Sequence, residues 1–256
     1  MRKFLCCMMM TLAFASTQTG AAAPEIPTYA FLSLIGDKLE IVIAQAQTGS
    51  RIDQNRREPP LAILDPVFDN TAAMAAGEAV RKVIPRAELA ILNSRSPVLF
   101  EKQRDLFDEK GGVMGIPDAI RTALQNEKAT HLILITKHRD EAQFQFIGSS
   151  DGAGLVEGLG FYVDGATDTR RGDTGEAGRG FIAPFVYAKV TLVDVQTSKV
   201  IKRQTIKASM AVSSARAQEN LASPWTALSS AEKVSAINRL IQREMARVVP
   251  LLLKVD

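Results

Sequence analysis

The sequence predicts a single α/β domain: a mixed sheet with a β-α-β unit, a long antiparallel hairpin and a packed carboxy-terminal amphipathic helix. Three observations carry this. Short apolar runs alternate with helical patterns over 61–92. Two long alternating runs, 185–196 and 199–212, flank Thr197-Ser198. Apolar residues then recur at steps of three and four from Val234 to Leu252. The 256 residues are 46% hydrophobic and 23% charged, a globular balance that excludes a disordered or collagen-like chain. With no second composition regime and no internal repeat, residues 24–256 read as one domain.

The amino terminus reads as an address. Arg2 and Lys3 precede the apolar run Phe4–Ala15, and small residues follow in Ala13-Phe14-Ala15 and Gly20–Ala23. Charged start, short apolar run and small-residue site describe a secretory signal peptide over 1–23. Twelve residues of helix span about 18 Å, too short for a bilayer core. The expected product is an exported soluble protein, periplasmic or secreted, with no transmembrane span after cleavage. Both cysteines, Cys6 and Cys7, lie in the discarded segment, so disulfides, thiolate metal sites and cysteine nucleophiles are not expected. Loss of Arg2 and Lys3 leaves 29 basic residues against 28 acidic, which gives no support to a nucleic-acid partner.

In chain order, Tyr29–Ile35 and Leu39–Ala44 read as a hairpin about Gly36-Asp37-Lys38. Residues 47–60 are polar and proline-ended, hence a surface loop. Leu61–Asp65, an alanine-rich helix capped from Asp69-Asn70-Thr71 and reaching Ile84, and Glu88–Leu92 form the β-α-β unit. A charged loop or frayed helix over 101–112 precedes a helix from Pro117-Asp118 to Asn126, a strand Leu132–Ile135 and a half-exposed strand Gln143–Ile147. Ten of the 17 glycines fall between Gly148 and Gly180, which predicts a long mobile loop with a strand at Leu159–Val163. Ser229-Ser230-Ala231-Glu232 spells a capping box for the final helix, which ends near Pro250.

Candidate chemistry is sparse. Gly148-Ser149-Ser150-Asp151-Gly152 fits the G-x-S-x-G nucleophile elbow. An elbow needs a helix directly afterwards, and this chain supplies more glycines. His131 and His138, weak candidates with Ser150 for a catalytic role, both precede the serine, whereas the elbow fold places its histidine last. Seven residues apart around a strand, they have opposite parity and make a poor metal pair. The kinase-like His138-Arg139-Asp140 lacks the asparagine that should follow, and Gly152-Ala153-Gly154 meets Glu157 where a dinucleotide fingerprint needs glycine. Asp164, Asp168 and Asp173 are too irregular for an EF-hand, and Arg171-Gly172-Asp173 is too short to specify adhesion. No cofactor and no metal are expected.

Leu61-Ala62-Ile63-Leu64-Asp65 with Phe68-Asp69-Asn70-Thr71 resembles the opening strand-helix unit of envelope proteins of the CsgG, LpoB and TolB amino-terminal type. Val190-Thr191-Leu192-Val193-Asp194-Val195-Gln196-Thr197 with Lys199-Val200-Ile201 resembles their L-V-D-x-x-T-G-x-V hairpin, with Ser198 in the glycine's place. Phe31-Leu32-Ser33-Leu34-Ile35-Gly36-Asp37 and the chain around it look like uncharacterised secreted proteins of proteobacteria. These resemblances imply an assembly or regulatory role and carry over no catalytic residue. The expected function is a non-enzymatic binding or assembly module for an envelope protein or small ligand. Its expected contact is the glycine-rich segment, through Asp164, Asp168, Arg170, Arg171, Asp173 and Arg179. A periplasmic hydrolase using Ser150 is the alternative.

Overall fold

The computed structural model describes residues 26–45, 53–108, 110, 112–146, 149–170, 175–216 and 223–254. The proposed signal peptide and the contact residues Arg171 and Asp173 lie outside them. The elements in order are β1 (Thr28–Leu34), β2 (Lys38–Ile43), β3 (Arg56–Ala62), α1 (Val67–Val83), β4 (Glu88–Leu92), α2 (Pro97–Glu101), a 3-10 turn (Gln103–Leu106) and α3 (Asp118–Asn126). The second half adds β5 (His131–Lys137), β6 (Arg139–Glu141), β7 (Phe144–Phe146), β8 (Ser149–Asp151), β9 (Leu155–Arg170), β10 (Ala177–Asp194), β11 (Val200–Ser209), β12 (Val212–Ser213) and α4 (Ser230–Leu253). The fold is α/β with a mixed sheet.

One ten-stranded sheet follows the path β3-β2-β9-β10-β5-β1-β4. Its pivot is β10. Along one edge β10 pairs first with β9, through Ala177–Tyr187, and then with β5, through Ala188–Asp194. Its other edge carries β12 and then β11. Two wings, β9-β2-β3 and β5-β1-β4, therefore hang from one strand.

The expected β10–β11 hairpin is present, with β10 starting earlier, at Ala177. Two other pairings differ from expectation. β1 and β2 do not pair with each other; β1 lies parallel between β4 and β5, while β2 lies parallel to β9 and antiparallel to β3. All seven residues of β1 are buried, as a central parallel strand requires. The amides of Ile35 and Gly36 bond to Asp69 of α1 instead of closing a turn. The second difference is the β-α-β unit, which uses β1, α1 and β4, with β2 and β3 inserted before the helix. β3 begins at Arg56, inside the expected loop, and ends at Ala62. Its Pro59 and Pro60 fall at a register shift opposite β2, tolerable because β3 is an edge strand.

α1 and α4 cover one sheet face, where Phe31, Ile133, Ile135, Val186 and Val190 meet Ala72, Ala76, Ile237, Ile241 and Met245. α1 starts at Val67, so Asp69, Asn70 and Thr71 are inside the helix and not its cap. The capping box of α4 is built: Ser229 Oγ accepts from Glu232 N at 3.3 Å and Ser229 N donates to Glu232 Oε2 at 2.9 Å. The helix continues through Pro250 to Leu253, and in its stripe only Val234 is exposed.

The glycine-rich loop expected over 148–180 is replaced by strands, since β9 and β10 form a hairpin of 16 and 18 residues. The glycines serve close approach and bulging. A Cβ on Gly160 would lie 2.2 Å from the Glu40 carbonyl oxygen and 2.7 Å from the Phe185 ring. Gly180 adopts φ +92° where the β9–β10 register shifts. Among the described residues no helix is long and apolar enough to cross a membrane.

Candidate functional site: a cationic cleft

The alternation of β10 builds the site. On the face away from α1 and α4, Phe181, Phe185 and Tyr187 join Phe144, Tyr162 and Val156 in an aromatic cluster. Further along the same face, two residues after Thr191, Val193 joins a second cluster with Leu132, Leu134, Leu106 and Leu124. Lys189 and Thr191 interrupt the apolar face between them. Lys189 stands between Thr136 of β5 and Thr205 of β11, and Thr191 is opposite Arg203. The strip is polar across three strands because side chains at paired positions share a face.

Over this strip lie Gln103, Arg104, Phe107, Asp108 and Lys110, and a cavity of about 640 Å³ remains between them and the sheet. Six cations line it: Arg104, Lys110, Lys137, Arg139, Lys189 and Arg203; Asp108 is the one carboxylate in its wall among the described residues. Gln103 fixes the roof to the sheet. Its Nε2 donates to the Phe100 carbonyl at 2.5 Å and its Oε1 accepts from Lys137 N at 2.7 Å.

Three of the cations have partners. Lys137 pairs with Asp37 at the β1 corner, Arg104 with Glu157 at 2.5 Å, and Arg139 approaches Asp53 at 3.9 Å. At the rim, Asp140 binds Lys207 at 2.7 Å and His138 Nε2 at 3.0 Å. The hydrogen bond from Lys207, before any other influence, holds the Asp140 carboxyl down at about 2. Arg203 is different. Its guanidinium lies over the Phe107 ring, 4.4 Å from the centroid. Its Nε and Nη2 are buried and have no hydrogen-bond acceptor among the described residues. Burial lowers its pKa and the Asp108 charge opposes that. Lys189 likewise has no ion-pair partner among the described residues. Thr191 Oγ1 beside them is also buried, with no hydrogen-bond partner among the described residues.

The structure disperses the residues singled out from sequence. Ser150 is in β8, paired with Gln145 of β7. β9 follows it, so the strand-turn-helix of a nucleophile elbow is not formed. His131 opens β5, stacked on Tyr29 with centroids 4.8 Å apart and its Nδ1 2.8 Å from Thr130 Oγ1. Burial lowers its pKa, opposed by Asp194. His138 is just past the other end of β5, roughly 23 Å away along the strand, so the two histidines share no site. His138 alone lines the cleft. Asp164 is buried, and its Oδ1 accepts from Ala166 N at 2.6 Å and Thr167 N at 2.9 Å. Asp168 is opposite Arg179, and Arg170 opposite Ala177, at the end of the β9–β10 hairpin. Ten residues of β10 separate Arg179 from Lys189, roughly 33 Å. Among the described residues no three of His, Cys, Asp and Glu converge as metal ligands.

Sequence reasoning missed Lys189, Arg203, Arg104 and Lys137. One signal was legible: in Phe185–Val195 the alternate positions run Phe, Tyr, Lys, Thr, Val, Val, a polar break in an apolar face.

No protein-family profile matches the sequence, and no curated protein does. Among solved structures the chain is similar to a DUF330 protein of Xanthomonas campestris, at 9% identity and TM-score 0.39, over 90% of this chain and 88% of that one. It is similar to a neuraminyllactose-binding hemagglutinin homologue of Helicobacter pylori, at 10% identity and TM-score 0.35, over 96% and 92%. It is also similar to PelC of Paraburkholderia phytofirmans, at 11% identity and TM-score 0.31, over 86% and 85%. These loose likenesses assign the chain neither a family nor an activity. The likeness to CsgG-, LpoB- and TolB-type proteins is not shown by them.

Proposed function

We propose that this chain is an exported, non-enzymatic binding module of the bacterial envelope whose ligand is held in the cleft over β10 and β5. One observation carries the reading: six cations, Lys189 and Arg203 among them, line a cavity in whose wall Asp108 is the one carboxylate among the described residues. Like charges crowded around one cavity repel one another, and a bound anion relieves that repulsion. Among the described residues the cleft combines these cations with no nucleophile–base pair, which favours binding over reaction. The hydrolase alternative has lost the elbow geometry that motivated it. The tip of the β9–β10 hairpin, around Asp168, Arg170 and Arg179, is the proposed contact for a protein partner, polar and therefore salt-sensitive.

The test is co-purification. The protein is expressed with its own leader, isolated from the periplasmic fraction at low salt and weighed by native mass spectrometry beside Lys189→Glu. The expected result is a mature chain beginning between Ser16 and Pro24 that carries a small-molecule adduct, absent from the variant. Retention of Met1 in the cytoplasm would refute export, and an identical adduct on both proteins would move the site away from the cleft.

A further inference from the structure

We infer that β4 is a dimerisation edge, along which two copies of this chain pair antiparallel about a two-fold axis at Ala90. The inference goes beyond the cleft and does not depend on it. β4 ends the sheet path, with β1 on its inner side. Glu88 N donates to the Pro27 carbonyl at 3.1 Å, so the main-chain groups of Glu88, Ala90 and Leu92 face β1. Those of Leu89 and Ile91 point outward, because successive residues of a strand turn their N–H and C=O to opposite sides. Among the described residues no other strand or side chain bonds them. Other outer strands are guarded. β3 carries Arg56, Arg57, Pro59 and Pro60, and β11 carries Lys202, Arg203 and Lys207; prolines and cations at an edge discourage strand addition. β4 reads Glu-Leu-Ala-Ile-Leu, with no proline and no cation, and its Ile91 is 45% exposed.

The occupant is a second copy because this edge is complementary to itself. With Ala90 opposite Ala90 of the second copy, Leu89 of each chain meets Ile91 of the other. Each such pair exchanges two N–H···O bonds, and the two pairs together use every outward donor and acceptor of both strands. Ala90 falls at the closest crossing, where Cα atoms approach to about 4.5 Å and a methyl fits. Glu88 faces Leu92 and not another Glu88, so no like charges oppose across the axis. Leu89 and Ile91 share the face of Tyr29 and Phe31, so the half-exposed Ile91 is covered by an apolar neighbour. Other registers do worse. An axis at Leu89 sets Ile91 against Ala87, whose amide already bonds the Ile84 carbonyl, and an axis at Ile91 sets Leu89 against Asn93, beyond the end of the strand. Two five-residue strands make less than a standard interface, so the dimer is a weak one.

The test is sedimentation equilibrium of the purified protein up to about 500 μM, a range that captures a weak interface. A monomer–dimer equilibrium is expected. Ile91→Lys should weaken it by about tenfold or more. Ile91→Pro removes an outward amide that the single chain does not use, at an edge where proline is tolerated, and should do the same. If Ile91→Pro does not fold, Ile91→Lys decides. The axis is read by oxidising Ala90→Cys in a chain that also carries Cys6→Ser and Cys7→Ser. It should form a covalent dimer, since Cα atoms about 4.5 Å apart lie within disulfide range, whereas Glu88→Cys in the same background should stay uncrosslinked. A monomer across the whole range overturns the inference, and gives the edge to an extended strand of another protein if Ala90→Cys then crosslinks to one in the periplasm. A dimer indifferent to both Ile91 variants overturns it, as does crosslinking through Glu88→Cys and not through Ala90→Cys.

Discussion

Replacing Asp69 with alanine should detach the first turn of α1 from the corner that follows β1. The Asp69 carboxyl is buried, 6% exposed. Its Oδ1 accepts from Ser33 Oγ at 2.6 Å, Ile35 N at 2.9 Å and Gly36 N at 3.1 Å. Alanine leaves two main-chain amides and a hydroxyl without that acceptor, at about 1–3 kcal/mol for each donor that stays unsatisfied. Two effects reduce the sum: water can enter the space vacated beside Gly36, and an unfavourably buried carboxylate is removed. A net loss of about 3 kcal/mol follows, or roughly 6–12 °C in melting temperature for a domain of this size. Burial, the largest influence, raises the Asp69 pKa above its ordinary 3.8, against the lowering effect of its three donors. The folded state therefore keeps this proton to higher pH than the unfolded chain does. Its contribution to stability falls as pH rises from 3.8 through the raised value. Asp69→Asn keeps an oxygen acceptor and cannot ionise, so it should recover most of the lost stability and flatten that part of the pH dependence. Thermal unfolding followed by circular dichroism between pH 3.5 and 7 measures both effects. An alanine variant melting within about 2 °C of the parent would refute the anchoring role, since even one orphaned amide costs more.

Other substitutions probe the rest of the frame. Ile241 is fully buried between α4 and the sheet, so Ile241→Asp should cost about 4 kcal/mol or more in urea unfolding; an unchanged midpoint would mean that the helix is not docked. Gly160→Ala should cost about 1–3 kcal/mol, because its methyl would meet the β2 backbone 2.2 Å away, and faster hydrogen exchange should appear in β2 and β9 first. Carboxyl NMR should show Asp140 titrating near 2 and moving up toward the ordinary carboxylate range in Lys207→Met. An unshifted Asp140 in that variant would remove Lys207 as the cause.

The elements best read from sequence are those whose partners lie nearby in the chain. Ser229 and Glu232 cap α4 within one turn, and Thr197 bonds back to Asp194 where β10 turns into β11. Long-range choices were not legible. β1 and β2 look like a hairpin because they are apolar neighbours, yet Asp69, over thirty residues away, takes the corner amides. The glycines of β9 and β10 read as flexibility because composition does not reveal that Phe185 and Glu40 crowd Gly160. The cleft was half legible. The polar break at Lys189 and Thr191 is visible in the chain, whereas the roof from Gln103 to Lys110 is set against it only by tertiary packing.

The dependence of both wings on β10 sets an order of events for a chain made from its amino end. β1 waits for His131–Thr136 and β2 for Leu159–Val163 before either has its inner neighbour. Arg139–Glu141 pairs with Leu155–Glu157 across the wings, but their long shared neighbour comes only when Ala177–Asp194 has arrived. Until His131–Thr136 arrives, β1, buried at every residue in the finished fold, has one edge open, and such sequence-distant pairing folds on the slow side, in milliseconds to seconds. Synthesis at about 5–20 residues per second leaves the inner edges of these strands unpaired for several seconds. The chain must be kept from aggregating through that interval, which suits delivery across a membrane in an unfolded state. A chain that stops short of Ala177 has two half-sheets joined through the three-residue pairing of β6 with β9, and should be cleared by proteolysis instead of accumulating as a stable fragment.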